Sequence, residues 1–301
     1  MLGAVAAATY GMNPLFALPL YDDGMNTDSV LLFRYLLAIP IIAVMILIRG
    51  RSFAVERRHA APLAVMGLLM AFSSLALFMS YRHMDAGIAS TLLFVYPIMV
   101  ALLMALLFRE RLPLATVLCI AAALGGISLL YKGSDGAVLS TAGTLWVVSS
   151  ALAYAIYIVG VNRSGLKDVA TLTVTFHVLS WGVLLFVVRL CMTGGLTLPD
   201  KWYLWANLVS LAVFPTAISL ICTTSAIQYI GSTPTAILGA LEPVTAVLIG
   251  VTVFGERLTV REIAGLVLII GAVTMVVGGS RITHNLLHAR KLFPRIRKHR
   301  R

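Results

Sequence analysis

One acidic side chain, Glu242, lies about a third of the way into an apolar block of the sequence, and Pro243 follows it directly. A proline gives no backbone N–H to a helix, so the hydrogen-bond ladder is open beside the carboxylate. A carboxylate in apolar surroundings could bind the amine of a substrate or carry a proton. It could equally cap the broken helix or pair with a buried base, and the sequence leaves both kinds of role open.

Two basic positions lie inside other apolar blocks. Arg34 could hold a substrate carboxylate through a two-pronged contact. A structural role is favoured, either snorkelling to lipid headgroups or pairing with Asp22 or Asp23, because Arg34 is near the end of its block. His177 could relay protons, although a hydrogen-bonded packing role is favoured. No second His, Cys or carboxylate stands at ligand spacing from His177, so neither a metal site nor a cofactor is predicted.

Polar and aromatic side chains inside the blocks are candidates to line a substrate cavity, since a buried hydroxyl or amide needs a partner. The candidates are Tyr10, Asn13, Ser80, Tyr96, Tyr154, Tyr157 and Thr224. Tyr81, Trp146 and Gln228 are similar but stand near block ends, where an interfacial position fits equally well. Pro97 and Pro243 are candidate hinges, with a static kink as the alternative.

The elements that carry these residues are predicted to be transmembrane helices. The chain has 301 residues, of which 60% are hydrophobic and 12% are charged, whereas soluble domains are about half apolar and a quarter charged. The apolar residues come in blocks of roughly the 20 residues that cross a bilayer as a helix. A helix satisfies its own backbone groups in hydrocarbon. We therefore expect an all-α integral membrane protein.

Ten apolar blocks are predicted to be transmembrane helices. They are 2–20, 30–48, 62–81, 88–108, 114–131, 143–161, 170–190, 204–227, 234–254 and 262–279. The connections between them are short and contain turn-forming residues. No sensing or nucleotide-binding unit is inserted, which argues against most receptors and ATP-driven pumps.

The distribution of Lys and Arg predicts the orientation. With the amino terminus in the cytoplasm, sixteen Lys and Arg residues fall in inner segments and five in outer segments. Positive charge accumulates on the cytoplasmic side, so both termini are predicted to be cytoplasmic. The basic tail, 280–301, is expected to contact anionic lipid headgroups in the inner membrane rather than nucleic acid.

The chain contains an internal duplication. Residues 87–131 align without a gap on residues 233–277, and the second block of each half carries a basic side chain, Arg34 and His177. The alignment places Pro97 on Pro243, Phe108 on Phe254 and Arg109 on Gly255.

The duplication predicts two halves, 1–131 and 143–279, with five helices each. Because five is odd, the second half must enter the membrane upside down relative to the first. Two inverted repeats around a midplane site are typical of secondary transporters, which open that site to alternate sides.

Several short motifs recur in the two halves. They are Phe33-Arg34-Tyr35-Leu36, Pro97 followed by Phe108-Arg109-Glu110-Arg111-Leu112-Pro113, Leu241-Glu242-Pro243-Val244 and Gly255-Glu256-Arg257-Leu258-Thr259. In these motifs the chain resembles the drug/metabolite transporter superfamily, specifically its ten-helix EamA-type transporters, over essentially its whole length up to the tail. The resemblance implies export of amino acids or related small metabolites from a bacterial cytoplasm through a cavity between the halves.

Other functions fit the sequence less well than secondary export. A proton-coupled multidrug exporter of the small four-helix kind relies on a carboxylate in its first helix, and 2–20 contains none. A membrane enzyme needs clustered Asp residues or a catalytic His with a carboxylate, and His83-Met84-Asp85 is more typical of a solvated turn. A non-transporting subunit is the remaining alternative. The prediction is a non-enzyme that binds a small-molecule substrate, with protons as a candidate coupling ion, as a monomer or homodimer.

Overall fold

The computed structural model describes residues 1–84, 86–109, 114–130, 140–193, 195–255, 260–261, 263–265, 267–268 and 271–272. Thirteen α-helices and no β-strand lie within these ranges, so the described part of the chain is all-helical, as predicted. The predicted tail, 280–301, falls outside the described residues, as does most of the predicted tenth span.

The helices follow the apolar blocks closely. They are α1 (Leu2–Tyr10), α2 (Asn13–Asp22), α3 (Thr27–Ile48), α4 (Arg57–Ser80), α5 (Ala86–Leu93), α6 (Tyr96–Phe108), α7 (Leu114–Leu130), α8 (Thr141–Arg163), α9 (Thr171–Thr193), α10 (Trp202–Ala212), α11 (Ser219–Ile230), α12 (Ser232–Leu238) and α13 (Leu241–Val253). A 3₁₀ turn, Leu166–Asp168, precedes α9, and a π-helical segment, Val213–Ile218, joins α10 to α11.

Seven helical segments are long and apolar enough to cross a membrane. They are Thr27–Ile48, Arg57–Ser80, Ala89–Phe108, Thr141–Arg163, Thr171–Thr193, Trp202–Ile230 and Ser232–Val253. Large apolar side chains point outward from these segments; Leu106, for example, is 76% exposed. Outward-facing apolar side chains are what a lipid-facing surface requires. The protein is therefore a membrane protein with several membrane-spanning helices.

Three of the predicted spans are broken into two helices. The first is divided at Gly11–Met12, the fourth at Phe94–Val95 and the ninth at Gly239–Ala240. A proline lies in the first turn after each break, where its missing N–H leaves no hydrogen bond unmade. The broken first span is a finding that the apolar pattern did not predict.

The unbroken helices form the rigid part of the molecule. Helix α4 packs on α8 and α9, and α9 packs on α3. Ser73 and Ser150 each donate a side-chain hydrogen bond to the other's backbone carbonyl, at 3.0 and 2.7 Å, which ties α4 to α8. A Cβ at Gly182 would lie 2.7 Å from the Tyr35 ring, so α9 and α3 approach closely only because a glycine stands there.

Loop contacts define two opposite faces of the bundle. At one face Asn26, before α3, donates to the carbonyl of Gly195, after α9. At the other face Thr173, at the start of α9, donates to the carbonyl of Ser52, after α3. Helices α3 and α9 therefore run in opposite directions. We refer to these as the Asp23 face (residues 23–29 and 195–203) and the Asn162 face (residues 49–56, 162–171 and 228–232).

Candidate functional site

The three helix breaks meet in the interior of the bundle. A Cβ at Gly11 would lie 2.5 Å from the Glu242 carbonyl oxygen and 2.8 Å from the Thr245 Cβ, so the α1–α2 break packs directly against α13. A Cβ at Gly239 would overlap the hydroxyl of Tyr96, so the break between α12 and α13 packs against the start of α6. These two packing contacts enclose the breaks in protein, where hydrocarbon surroundings tolerate irregular backbone.

Glu242 occupies the middle of its span. The span covers Ser232–Val253, which places Glu242 ten residues from one end and eleven from the other. The side chain is 4% exposed. Its Oε1 accepts a hydrogen bond of 3.3 Å from the Tyr96 hydroxyl, while Oε2 has no hydrogen-bond partner among the described residues. A mid-membrane carboxylate with a free oxygen can receive a donor from a substrate.

Arg34 also lies in the interior, with 1% exposure, and does not reach the headgroups. Its Nε donates to the Thr216 hydroxyl and its Nη2 donates to the Pro215 carbonyl at 3.0 Å. Its guanidinium lies 6.0 Å from the centre of the Tyr10 ring and 5.3 Å from that of Phe78. The remaining nitrogen, Nη1, has no hydrogen-bond partner in the described ranges.

The π-helical segment between α10 and α11 creates the socket for Arg34. Thr216, within this segment, donates its hydroxyl to the Leu211 carbonyl at 2.8 Å and accepts from Arg34. A π-helix shifts the ladder by one residue and so presents backbone carbonyls that an α-helix would use itself. The sequence analysis did not single out Pro215 or Thr216; a proline within the eighth apolar block is the feature that could have indicated them.

A group of tyrosines lies between the two charged side chains. Tyr10 stacks on Tyr154 at 6.0 Å, Tyr154 packs against Tyr96 at 4.7 Å, and Tyr157 stacks on Tyr154 at 6.2 Å. The ring centre of Tyr10 is 6.0 Å from the Arg34 guanidinium, and Tyr96, at the other end of the group, donates to Glu242. The Tyr10 hydroxyl has no hydrogen-bond partner in the described part of the chain, so it too is available to a ligand.

A narrow cavity adjoins Glu242 and has room for about one water molecule. Its lining combines small residues of α1 with polar and aromatic groups of the broken helices. The lining residues are Gly3, Ala6, Ala7, Tyr96, Tyr154, Ile158, Thr223, Thr235, Gly239 and Glu242. A substrate larger than water can enter only if these helices move apart.

The remaining predicted residues are placed as follows. Asn13 is 1% exposed, and neither atom of its amide has a partner among the described residues. Thr224 is bonded to Tyr157 at 3.3 Å. Ser80 donates to its own helix, at 2.6 Å from the Leu77 carbonyl. The hydrogen-bonding and ring contacts of His177 are with its own helix α9.

The predicted hinges, Pro97 and Pro243, each follow a helix break. The alignment that pairs them also pairs Tyr96 with Glu242, 146 residues apart, and these two side chains are hydrogen-bonded to each other. Two residues that the sequence alignment pairs therefore contact each other. No group of three or more metal-ligating side chains occurs in the described ranges.

A set of polar contacts closes the Asp23 face, and we call it the polar clasp. Arg189 makes a two-pronged ion pair with Asp28, at 2.7 and 3.2 Å, which joins α9 to α3. Asn26 donates to the Gly195 carbonyl at 2.5 Å, and the Thr197 amide donates to Ser29 at 2.9 Å. These contacts tie the start of α3 to the end of α9.

The polar clasp extends to the α2–α3 loop. Asp23 accepts hydrogen bonds from Lys201 at 2.5 Å and from Tyr203 at 2.7 Å. These bonds stabilise the charged carboxylate and lower the pKa of Asp23 from its ordinary 3.8, and the contact with Asp23 raises the pKa of Lys201. The loops on this face are held together at neutral pH.

The fold and the buried site together define a class of protein. An acidic and a basic side chain, each with an unpartnered polar atom among the described residues, are buried between helices of which several are broken, which is typical of membrane transporters. A sequence profile of the EamA-like transporter family matches residues 1–132 and 141–278, and the chain belongs to this family.

Individual relatives are also transporters. The chain is 28% identical over 224 residues to the threonine/homoserine exporter RhtA of Salmonella typhimurium, which covers 73% of this chain and 71% of that protein. It is 29% identical over 211 residues to an uncharacterized transporter of Archaeoglobus fulgidus, covering 70% and 73% of the two chains. A crystal structure with 18% identity superposes with a TM-score of 0.80 over 94% of this chain and 97% of the other, which shows a shared fold.

Proposed function

We propose that this protein is a secondary transporter that exports zwitterionic amino acids, and that Glu242 and Arg34 bind the two charged ends of the substrate. The observation that carries the proposal is the pair of buried acidic and basic side chains, Glu242 and Arg34, connected through the tyrosine group. Each retains an unpartnered polar atom within the described residues, Oε2 of Glu242 and Nη1 of Arg34. The name of RhtA, a threonine/homoserine exporter, supports the amino-acid class.

The chemistry of the site favours a zwitterion over other small molecules. A substrate ammonium would donate to Oε2 of Glu242, and a substrate carboxylate would accept from Nη1 of Arg34. Both would be charge-assisted hydrogen bonds in a poorly solvated site, which are stronger than neutral ones. A purely cationic drug would leave the Arg34 charge uncompensated, and burying an unpaired charge is costly. This argument disfavours the multidrug exporter.

We propose alternating access between two inverted five-helix halves as the mechanism. The opposite directions of α3 and α9 support the inversion, because the alignment makes these helices equivalent. Phe108 and Phe254 support it as well. Phe108, at the end of α6, contacts Arg163 on the Asn162 face, with the guanidinium 4.7 Å from the ring centre. Helix α12 starts at the same face, where Asn162 donates a 3.0 Å hydrogen bond to Ser232. Helix α13, which continues the span and precedes Phe254, therefore ends at the other face.

The conformations at the ends of α6 and α13 support the same alignment. Arg109 has φ 53° and Gly255 has φ +68°, both left-handed, at positions that the alignment makes equivalent. One reason for the change from Arg109 to Gly255 is that an outer loop gains nothing from an extra positive charge. The backbone adds a second reason, since glycine adopts this conformation without strain.

The location follows from the charge distribution. We propose that the protein lies in the bacterial inner membrane with ten spans, that both termini are cytoplasmic, and that the basic tail meets anionic headgroups. The Asn162 face is then cytoplasmic and the Asp23 face periplasmic. The polar clasp would close the periplasmic side, and it would have to open for a substrate to leave.

Efflux from proteoliposomes tests the function. Vesicles containing the purified protein are loaded with radiolabelled threonine, diluted, and compared with protein-free vesicles. We expect saturable efflux that unlabelled amino acid outside accelerates. Efflux equal to that of protein-free vesicles for every amino acid tried would overturn the proposal. Single-cysteine labelling tests the architecture separately: cysteines at positions 109 and 255 should react from opposite sides of the membrane.

A further inference from the structure

The amide of Asn13 is a buried polar group that the charged ends of an amino acid do not use. Asn13 is the first residue of α2, directly after the Gly11–Met12 break. Both Oδ1 and Nδ2 are buried and have no hydrogen-bond partner in the described part of the chain. An amide left unpaired in this way destabilises the folded protein. Structural packing alone gives no reason for it, since an apolar side chain of the same size would avoid the penalty.

The position of Asn13 associates it with the charged pair. Gly11 and Met12 have right-handed helical angles, so Tyr10 and Asn13 are three residues apart on nearly continuous helical backbone and share a face. On that face, the ring centre of Tyr10 lies 6.0 Å from the Arg34 guanidinium. Asn13 therefore lies on the face of the first span that carries Tyr10, toward the Arg34 end of the site that we assign to the substrate.

The chemistry of an amide indicates what it can bind. Oδ1 accepts and Nδ2 donates, so full satisfaction of Asn13 requires a group that both donates and accepts. A hydroxyl or a carboxamide meets this requirement. An aliphatic side chain would leave both amide atoms unpaired, and a carboxylate side chain would leave Oδ1 unpaired.

We propose that Asn13 selects amino acids whose side chain carries a hydroxyl or carboxamide over aliphatic amino acids of the same shape. This inference rests on the proposed function, because it assigns the side-chain pocket of the same site. A site built to hydrogen-bond a substrate group rejects the analogue that lacks the group far more strongly than an apolar pocket rejects a change of shape. Threonine should therefore be preferred to valine, and asparagine to leucine, although each pair is nearly isosteric.

Counterflow in proteoliposomes tests the inference with the wild-type protein first. Vesicles are loaded with unlabelled threonine, and the entry of external radiolabelled threonine is measured. Valine, asparagine or leucine is added outside at increasing concentration to find how strongly each one competes with threonine. We expect valine and leucine to compete about tenfold or more weakly than their polar counterparts. Absence of exchange with any amino acid would overturn the proposed function itself. Exchange in which valine competes as well as threonine would overturn the role of Asn13 and leave the proposed function standing.

Variants then assign the preference to Asn13. Asn13→Leu retains the side-chain size without the amide. In this variant, valine and threonine should compete with labelled threonine equally, within about threefold. Asn162→Leu, the same substitution at the Asn162 face, should retain the wild-type preference. If Asn13→Leu does not give a monodisperse protein, Asn13→Ala makes the same comparison. A wild-type preference in the folded Asn13 variant, or its loss in Asn162→Leu as well, would overturn the inference.

Discussion

Replacing Glu242 with glutamine is the most informative change at the site. The substitution retains the size of the side chain and an oxygen that can accept the hydrogen bond from the Tyr96 hydroxyl. This bond is 3.3 Å long in the wild-type protein. It removes the negative charge and with it the charge-assisted bond that we assign to a substrate ammonium. The residue is 4% exposed, so bulk solvent does not screen the lost interaction.

The expected magnitude follows from the nature of the lost bond. A hydrogen bond to a charged group contributes about 1.5–3 kcal/mol, and about 1.4 kcal/mol is a factor of ten in affinity. Glu242→Gln should therefore raise the KM for amino-acid exchange about 10- to 100-fold. Thermal stability in detergent should not fall, because a neutral amide is less costly to bury than a carboxylate with one unpartnered oxygen.

Exchange and pH-driven uptake in the same vesicles give the assay. Our interpretation requires both activities of Glu242→Gln to fall, because the substrate no longer binds. Intact exchange with lost pH-driven uptake would show that Glu242 carries the proton and does not bind the amine. Unchanged activity in both assays would remove Glu242 from the mechanism. Glu56→Gln is the matched control, since the Glu56 side chain is 65% exposed in a surface pair with Arg58, and it should leave the KM within about twofold.

Three further changes test the helix breaks and the polar clasp. Gly239→Ala should lower the unfolding free energy by about 1–3 kcal/mol in denaturant titration, because its Cβ would overlap the Tyr96 hydroxyl. Asp28→Asn should lower the same quantity by about 1–3 kcal/mol without changing KM, because its arginine partner is left unpaired. Lys201→Met should lower the melting temperature by the same amount at every pH between about 5 and 9. The bond from Lys201 lowers the pKa of Asp23, so this contact stabilises the folded protein above the ordinary pKa of 3.8 and is lost as the pH falls below that value.

Each of these changes has a control in the same molecule. Gly195→Ala adds a methyl group where no described residue lies within 4 Å of the new Cβ, so it should not destabilise; equal effects of the two glycine substitutions would contradict the contact at Gly239. Asp200→Asn changes an exposed carboxylate of the Asp23 face, and it should not reproduce Asp28→Asn. Lys167→Met changes an exposed lysine of the other face; a pH profile like that of Lys201→Met would contradict the pairing with Asp23.

The apolar blocks predicted most of the spans because the bilayer fixes their length. Helix α4 was predicted at 62–81 and is Arg57–Ser80, and α8 was predicted at 143–161 and is Thr141–Arg163. The break in the first span was not predicted, because Gly11 and Met12 do not interrupt the apolar block. Pro14 was the available indication, and the same type of indication, Pro97 and Pro243, did predict the other two breaks.

The position of Arg34 could not be predicted from its depth in the sequence alone. Its helix begins at Thr27, three residues before the predicted start, and its partners belong to a π-helical segment about 180 residues away along the chain. Such a partner depends on tertiary packing and on a local register shift that periodicity does not reveal. The ion pair of Asp28 with Arg189 was missed for the same reason.

One central contact was available from the sequence. The alignment that places Pro97 on Pro243 also places Tyr96 on Glu242, and these two side chains are hydrogen-bonded. The pairing of the two residues could therefore have been taken from the register of the duplication. Its geometry could not, because the Tyr96 hydroxyl occupies the place that a Cβ of residue 239 would take. The need for a glycine at this position is visible only in the structure.

The most direct test of the zwitterion site uses substrate analogues that each lack one charge. Threonine counterflow by the wild-type protein is measured in the presence of unlabelled threonine, its des-amino hydroxy acid analogue or its des-carboxy amino alcohol analogue. If Glu242 and Arg34 bind the two ends of one molecule, only threonine competes effectively, and each analogue is about 10- to 100-fold weaker. Competition by either analogue at the concentration at which threonine competes would contradict the assignment of that end.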